Sequence, residues 1–234
     1  MSGCSHKHNF ELKSVEYPYY CERCGQLGFK MGYTCDESGC NLIYHKQCGN
    51  PETVVKHPFS TKCVFYFNNK RPAKCCLCDV CGKDISGFHY QCSCSFIIRH
   101  VHPHCLGCEP TFAPYKGITM HLHKVATEDC MICGDKYLCR KVYGWAYISS
   151  NGDLCYHVSC VMKIIHEKWK SAFMKGTCDP FQVISERFPK DMNRKNQMVK
   201  KRNQTIKKMA IMALEIIVKF FTGHLHGRAS LYSY

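Results

Sequence analysis

The sequence is short of acid: 18 Asp and Glu stand against 32 Lys and Arg, for a formal net charge of +14. Such a balance disfavours basic partners and suits nucleic acid or an anionic membrane surface. An apolar leader is also lacking, since the first ten residues read Met-Ser-Gly-Cys-Ser-His-Lys-His-Asn-Phe. Nothing there resembles the h-region of a secretory signal, so the expected setting is intracellular, nuclear or cytoplasmic, and not secreted. There is no His-Glu-x-x-His, no Walker loop, no Gly-x-Ser-x-Gly and no deaminase-type His-x-Glu, which removes the commonest signatures of hydrolytic and phosphoryl-transfer catalysis. Long hydrophobic runs are missing too. The most apolar segment, Ile206 to Phe221, carries Lys208, Glu215 and Lys219. At about 1.5 Å per residue it reaches roughly 24 Å, short of the ~30 Å hydrocarbon core, so no transmembrane helix is expected.

What the chain does have is 21 cysteines and 14 histidines in 234 residues. Small modules bury too little apolar surface to hold themselves together and need metals or disulfides. Disulfide frameworks belong to secreted chains, whereas cysteines mixed with histidines at fixed spacings point to zinc.

The cysteines repeat. Cys-x2-Cys-Gly occurs at Cys21/Cys24/Gly25, Cys78/Cys81/Gly82 and Cys130/Cys133/Gly134, with starts 57 and 52 residues apart. Each is followed by an aromatic, strand-like stretch ending at Tyr33/Cys35, Tyr90/Cys92 or Tyr147/Ser149, and each unit closes with His-x2-Cys at His45/Cys48, His102/Cys105 or His157/Cys160. A Cys-x2-Cys turn supplies two adjacent corners of a tetrahedron, and a structural zinc needs four, all from protein. The first unit alone offers eight donors: His8, Cys21, Cys24, Cys35, Cys40, His45, Cys48 and His57. That number suits two tetrahedra. The connecting stretches are rich in Gly, Pro and Asn, with short β-leaning runs at 63–67 and 96–98, and helical patterns are expected only at 161–173 and 205–221.

This string resembles the diacylglycerol-type zinc finger of protein kinase C and, more closely, the plant divergent C1 domain family of cysteine/histidine-rich proteins. The closing Cys48-x8-His57-Pro58 is similar to that family's habit of ending a module in His-Pro. The resemblance covers roughly residues 6–165. It implies a cross-braced first module, with one zinc on Cys21, Cys24, His45 and Cys48 and another on His8, Cys35, Cys40 and His57. In the second unit it implies a site at Cys78, Cys81, His102 and Cys105, with His100 as a rival for His102. A second site there would draw on Cys63, Cys92, Cys94 and His121; the alternative is that Cys92 and Cys94 are buried thiols. The third unit keeps Cys130, Cys133, His157 and Cys160, but Ser149 and Gly152 stand where the second pair belongs, leaving one zinc. Cys139, Cys155 and Cys178 are expected to be free thiols.

The expected fold is therefore a set of small metal-stabilised domains: tandem zinc-finger modules of short β-hairpins with a short helix each, plus a C-terminal basic helical tail. Residues 1–60 form the first module with two zincs, 61–122 the second with one or two, 123–175 the degenerate third with one, and 176–234 the tail. About four Zn2+ are expected, five if the second site of module 2 fills. With four donors at each clean site no position is left for water, so the chain is read as a non-catalytic adaptor or regulator without a small-molecule substrate. The resemblance implies signal transduction in plants. Protein partners come first. The basic clusters Arg194/Lys195 and Lys200/Lys201/Arg202 add nucleic acid or a membrane surface as alternatives, and also resemble a nuclear-import signal. Two other readings are weighed. A RING-like ubiquitin-ligase component imitates Cys155-x-His157-x2-Cys160, but Lys163 and Phe181 stand where its next cysteines belong. Diacylglycerol binding needs a longer loop than the ten residues at 25–34 or 82–91.

Overall fold

The structure, a computed structural model, describes residues 8–92, 98–115, 118–138 and 142–174. The chain divides into two compact units, 1–109 and 110–234.

The first unit holds two β-sheets. Strands β1 (Phe10–Tyr20), β2 (Leu27–Cys35) and β3 (Ile43–His45) form an antiparallel sheet in the order β1-β2-β3, followed by one helical turn, α1 (Lys46–Gly49). Tyr19 packs with Cys21, Cys24, Tyr44 and Cys48 to form a small core between sheet and knuckle. Gly28 lies against the Tyr19 ring, where any Cβ would collide with it, and the Tyr19 hydroxyl donates to the carbonyl of Met31 at 2.6 Å. The four residues separating Cys35 from Cys40 form a turn, closed by Cys40 N–H donating to Glu37 at 3.0 Å and eased by Gly39 at φ +82°.

The second sheet is antiparallel, in the order β4-β5-β6-β7, from Val54–Lys56, Val64–Asn68, His89–Cys92 and Arg99–Val101, and ends in a 3-10 helix at Pro103–Gly107. Phe65, Val80, Ile85, Tyr90 and Val101 are its buried side chains. Arg23 ties the two modules together. Phe88 N–H donates to the Arg23 carbonyl at 2.7 Å, and the Arg23 guanidinium lies 4.2 Å from the Tyr44 ring centroid and 5.1 Å from that of Phe88.

The second unit carries the sheet β11-β10-β9-β8, from Thr111–Tyr115 (β8), Ile118–His123 (β9), Ala146–Ser149 (β10) and Cys155–His157 (β11). Helix α2 follows at Val158–Met174, longer at both ends than the expected 161–173, and buries Val161 and Ile165. Tyr147 and Tyr156 are fully buried in this sheet.

Strand pairing crosses the expected module limits. Val54–Lys56 pairs with β5, and Thr111–Tyr115 and Ile118–His123 belong to the third sheet, so both later sheets begin before the limits at 60/61 and 122/123. Each linker returns as an added edge strand on the module that follows, a pairing invisible to local pattern. One helical segment per module is present, but only as a single α turn in the first and a 3-10 turn in the second. The tail at 176–234, with its expected helix at 205–221 and the basic residues Arg194, Lys195, Lys200, Lys201 and Arg202, lies outside the described residues.

Candidate metal centres

All three knuckles are built on one backbone frame. The glycine N–H after the second cysteine donates back to the carbonyl of the first: Gly25 to Cys21 at 2.7 Å, Gly82 to Cys78 at 2.8 Å and Gly134 to Cys130 at 2.8 Å. These glycines take φ of +69°, +69° and +74°, a left-handed turn that a side chain resists. The first cysteine's N–H then donates five residues ahead, to Gln26, Lys83 or Asp135. The residue after that cysteine donates to the strand leading to the ligand histidine: Glu22 to Ile43 at 3.2 Å, Asp79 to His100 at 2.8 Å and Met131 to Cys155 at 2.8 Å. Each acceptor lies two residues before its histidine, so the third strand delivers the ring to the knuckle.

The histidines are oriented alike. Nδ1 of His45 faces Cys24 Sγ at 3.3 Å and Cys48 Sγ at 3.8 Å; that of His102 faces Cys81 at 3.5 Å and Cys105 at 4.0 Å; that of His157 faces Cys133 at 3.5 Å and Cys160 at 3.8 Å. On the far side, Nε2–H donates to Leu27 at 3.1 Å, Asp84 at 3.1 Å and Lys136 at 3.2 Å, in every case the carbonyl three residues after the knuckle's second cysteine. A ring whose outer nitrogen is spent on a carbonyl presents the inner one as a lone pair, which is how metal-binding histidines are fixed. These carbonyls are the functional groups that sequence reasoning missed. A backbone acceptor leaves no residue-type signal.

Cys21, Cys24, His45 and Cys48 therefore form one four-donor cluster, Cys78, Cys81, His102 and Cys105 a second, and Cys130, Cys133, His157 and Cys160 a third, with donor atoms all within 4.8 Å of one another. Zinc with Zn–S of about 2.3 Å and Zn–N of about 2.0 Å in a tetrahedron needs S···N separations of roughly 3.5 Å, and the observed ones bracket that. Electrostatics agree. Hydrogen bonds from Cys24 and Cys48 push the Cys21 thiol far down, while Cys24 and Cys48 are pushed far up, chiefly by Cys21. In the third cluster Cys130 falls to about 3, led by the hydrogen bond from Cys160, which itself rises. Three sulfurs this close oppose one another's ionisation, and a cation among them favours it. The first two clusters are wholly buried, whereas in the third Cys133 is exposed and Cys160 partly so.

A three-donor group, His8, Cys35 and Cys40, lies at the far end of the first sheet, with Cys40 Sγ 3.5 Å from His8 Nδ1. His57 does not join it. It sits in the β4–β5 turn, where its N–H donates to the Cys63 carbonyl at 3.2 Å, its Nδ1 accepts from Phe59 N–H at 3.1 Å and its ring stacks 4.9 Å from that of Phe65. The expected fourth ligand is thus held by the second sheet.

Register explains the second site of each module. Phe10 pairs with Cys35, and His8 lies two residues before Phe10. In the second sheet Tyr66 pairs with Gln91, which sets Phe65 opposite Cys92 and puts Cys63 in the place of His8. Cys63 and Cys92 are joined there as a disulfide with Cα atoms 7.3 Å apart, where two metal ligands or a buried thiol were expected. Cys94, the third expected ligand, lies outside the described residues. His121, the fourth, is on β9 in the third sheet, opposite Ile148 and 3.4 Å from the Thr111 hydroxyl. His100 stays out of the second cluster; its N–H donates to Asp79 at 2.9 Å.

In the third sheet the equivalent pair is Ser149 opposite Met120. Hydrogen bonds occupy the place of the metal. Ser149 Oγ donates to Asn151 Oδ1 at 2.7 Å and accepts from Leu154 N–H at 2.9 Å, Asn151 Nδ2 donates to Asp153 at 2.8 Å, and Gly152 at φ +77° completes the turn. Cys155 is a buried thiol, raised to about 11 by burial foremost and then by Cys130. Cys139 and Cys178 lie outside the described residues.

Among the described residues no helix is long and apolar enough to cross a membrane. No family model, curated protein or solved structure matches this chain.

Proposed function

We propose that this chain is a zinc-binding, non-catalytic adaptor or regulator of the divergent C1 domain type, acting in intracellular signalling through protein contacts. The observation that carries it is the threefold repetition of a closed Cys3His centre on one hydrogen-bond frame. Zinc is the natural occupant because mixed thiolate and imidazole donors at tetrahedral spacing match its preference, and four protein donors leave no place for a reacting water. The His8, Cys35 and Cys40 group is the fourth position.

Two rivals fit less well. After Cys160 the chain continues as helix to Met174, with Lys163 inside it, so a second RING cysteine pair has no loop to occupy. In the first module β2 begins at Leu27, three residues past Cys24, and Gln26 is buried with its carbonyl bonded to Cys21, which leaves little open loop for a lipid. Liposomes with and without diacylglycerol should bind the chain equally.

Native mass spectrometry of the purified chain tests the core of the reading: about four zinc ions should be retained and lost to chelator together with folded structure. A metal-free folded chain would overturn it. Pull-downs with and without residues 190–234, read by mass spectrometry, separate partners of the modules from those of the basic tail.

A further inference from the structure

Between the first two clusters stands a histidine to which no ligand role falls. The His104 ring centroid is 4.8 Å from that of His45, at 26° between planes, and 5.6 Å from that of His102, at 30°. Its Nε2 lies 3.4 Å from Cys105 Sγ, and its Nδ1 is buried without a hydrogen-bond partner. We propose that His104 is a positioning residue that couples the two metal centres of the first unit, by stacking between the ligand imidazoles of His45 and His102 and donating Nε2–H to the Cys105 thiolate.

The inference rests on the zinc reading above and deepens it. A neutral imidazole carries one proton. With a thiolate facing Nε2, the proton belongs there, and the shielded Nδ1 is left as a lone pair, the cheaper group to bury unpaired. That N–H spreads the charge of Cys105 and favours the metal-bound thiolate, as outer-shell donors do. The orientation of His104 depends in turn on His45, whose ring is held by Leu27 on one side and by the first centre on the other. A cation at the first centre locks His45, and through the stack it locks the donor of the second. Metal loading is then cooperative with no metal–metal contact.

The test uses the full chain carrying Cys40→Ser and Cys133→Ser, which cripple the three-donor group and the third centre. Cobalt(II) competition against a chromophoric chelator reads the affinity of the second centre, with the first intact or removed by Cys24→Ser. Removal should weaken the second centre about tenfold when His104 is present and less than about twofold when it is changed to Ala. His104→Phe, which keeps the stacked ring but has no donor, should lose the coupling as the alanine variant does and shift the thiolate-to-cobalt charge-transfer band, because Cys105 loses its donor. Should the alanine variant not fold, an unshifted band in His104→Phe by itself overturns the hydrogen-bond role. Equal losses with and without His104, alongside a normal tetrahedral cobalt spectrum, overturn the coupling alone. No tetrahedral spectrum in any variant overturns the zinc reading itself.

Discussion

Arg23 lies over the Tyr44 ring while its Nη1 donates to the carbonyl of Cys48 at 2.6 Å and to that of Gly49 at 3.2 Å. One side chain therefore closes the end of α1 and clasps the aromatic face of the first sheet. Changing Arg23 to Ala removes two cation–π contacts and two hydrogen bonds, and should lower stability by about 2 kcal/mol. Arg23→Lys should recover less than half, because an ammonium cannot reproduce the planar fork. Urea unfolding of the zinc-saturated chain decides; a loss under about 0.5 kcal/mol for the alanine variant would remove Arg23 from the list of structural contacts.

Among the three four-donor centres, the third should be the first to give up its metal. Cys133 is exposed, whereas every ligand of the first two clusters is buried. With the three-donor group removed by Cys40→Ser, mixing with a chromophoric chelator should release one zinc in a fast phase and the other two more slowly. Cys133→Ser should abolish the fast phase. A single-rate release of all the metal would show that exposure does not control exchange.

Acid should weaken the second module through His89. Its ring is buried, lies 5.3 Å from that of His100 at a tilt of 51°, and is held below the ordinary imidazole value of 6.5, by burial first. A base whose folded-state pKa is depressed contributes fully above the unfolded value and loses its contribution as pH falls through the folded one. Melting of the zinc-loaded chain should therefore decline from pH 7 toward pH 5. His89→Gln, which keeps a donor for the Gly87 carbonyl, should flatten part of that decline. An unchanged slope would assign the acid sensitivity elsewhere.

The Cys63–Cys92 bridge gives a simple chemical outcome. Under non-reducing denaturation, mass spectrometry after alkylation should find this disulfide, and Cys92→Ser should remove it. The zinc count should stay the same, because neither residue belongs to a four-donor cluster among the described residues. A lost zinc would mean that the pair ligates metal instead.

The three knuckles were legible because their signals are local. Cys-x2-Cys-Gly encodes a turn, and His-x2-Cys spans the start of a helical segment at His45, His102 and His157. The second sites were not, because they depend on strand register. His57 follows Cys48 at a plausible distance, yet β4 turns back onto β5 and keeps it in the second sheet. Cys63 stands where His8 stands, but a change of residue type and different loop lengths hide the match from any count of spacing. His121 falls within the span of the second unit, while antiparallel pairing with β10 claims it for the third sheet. His104 gave only the signal of a third alternating histidine, at 100, 102 and 104.

The Ser149, Asn151 and Asp153 turn alters what each module asks of its surroundings. A hairpin tied by imported metal is only as durable as the supply of that metal. One tied by its own hydroxyl and amide groups carries its fastening from the moment of synthesis. Under zinc scarcity the far end of the third hairpin should hold its register while the His8, Cys35 and Cys40 end of the first loosens.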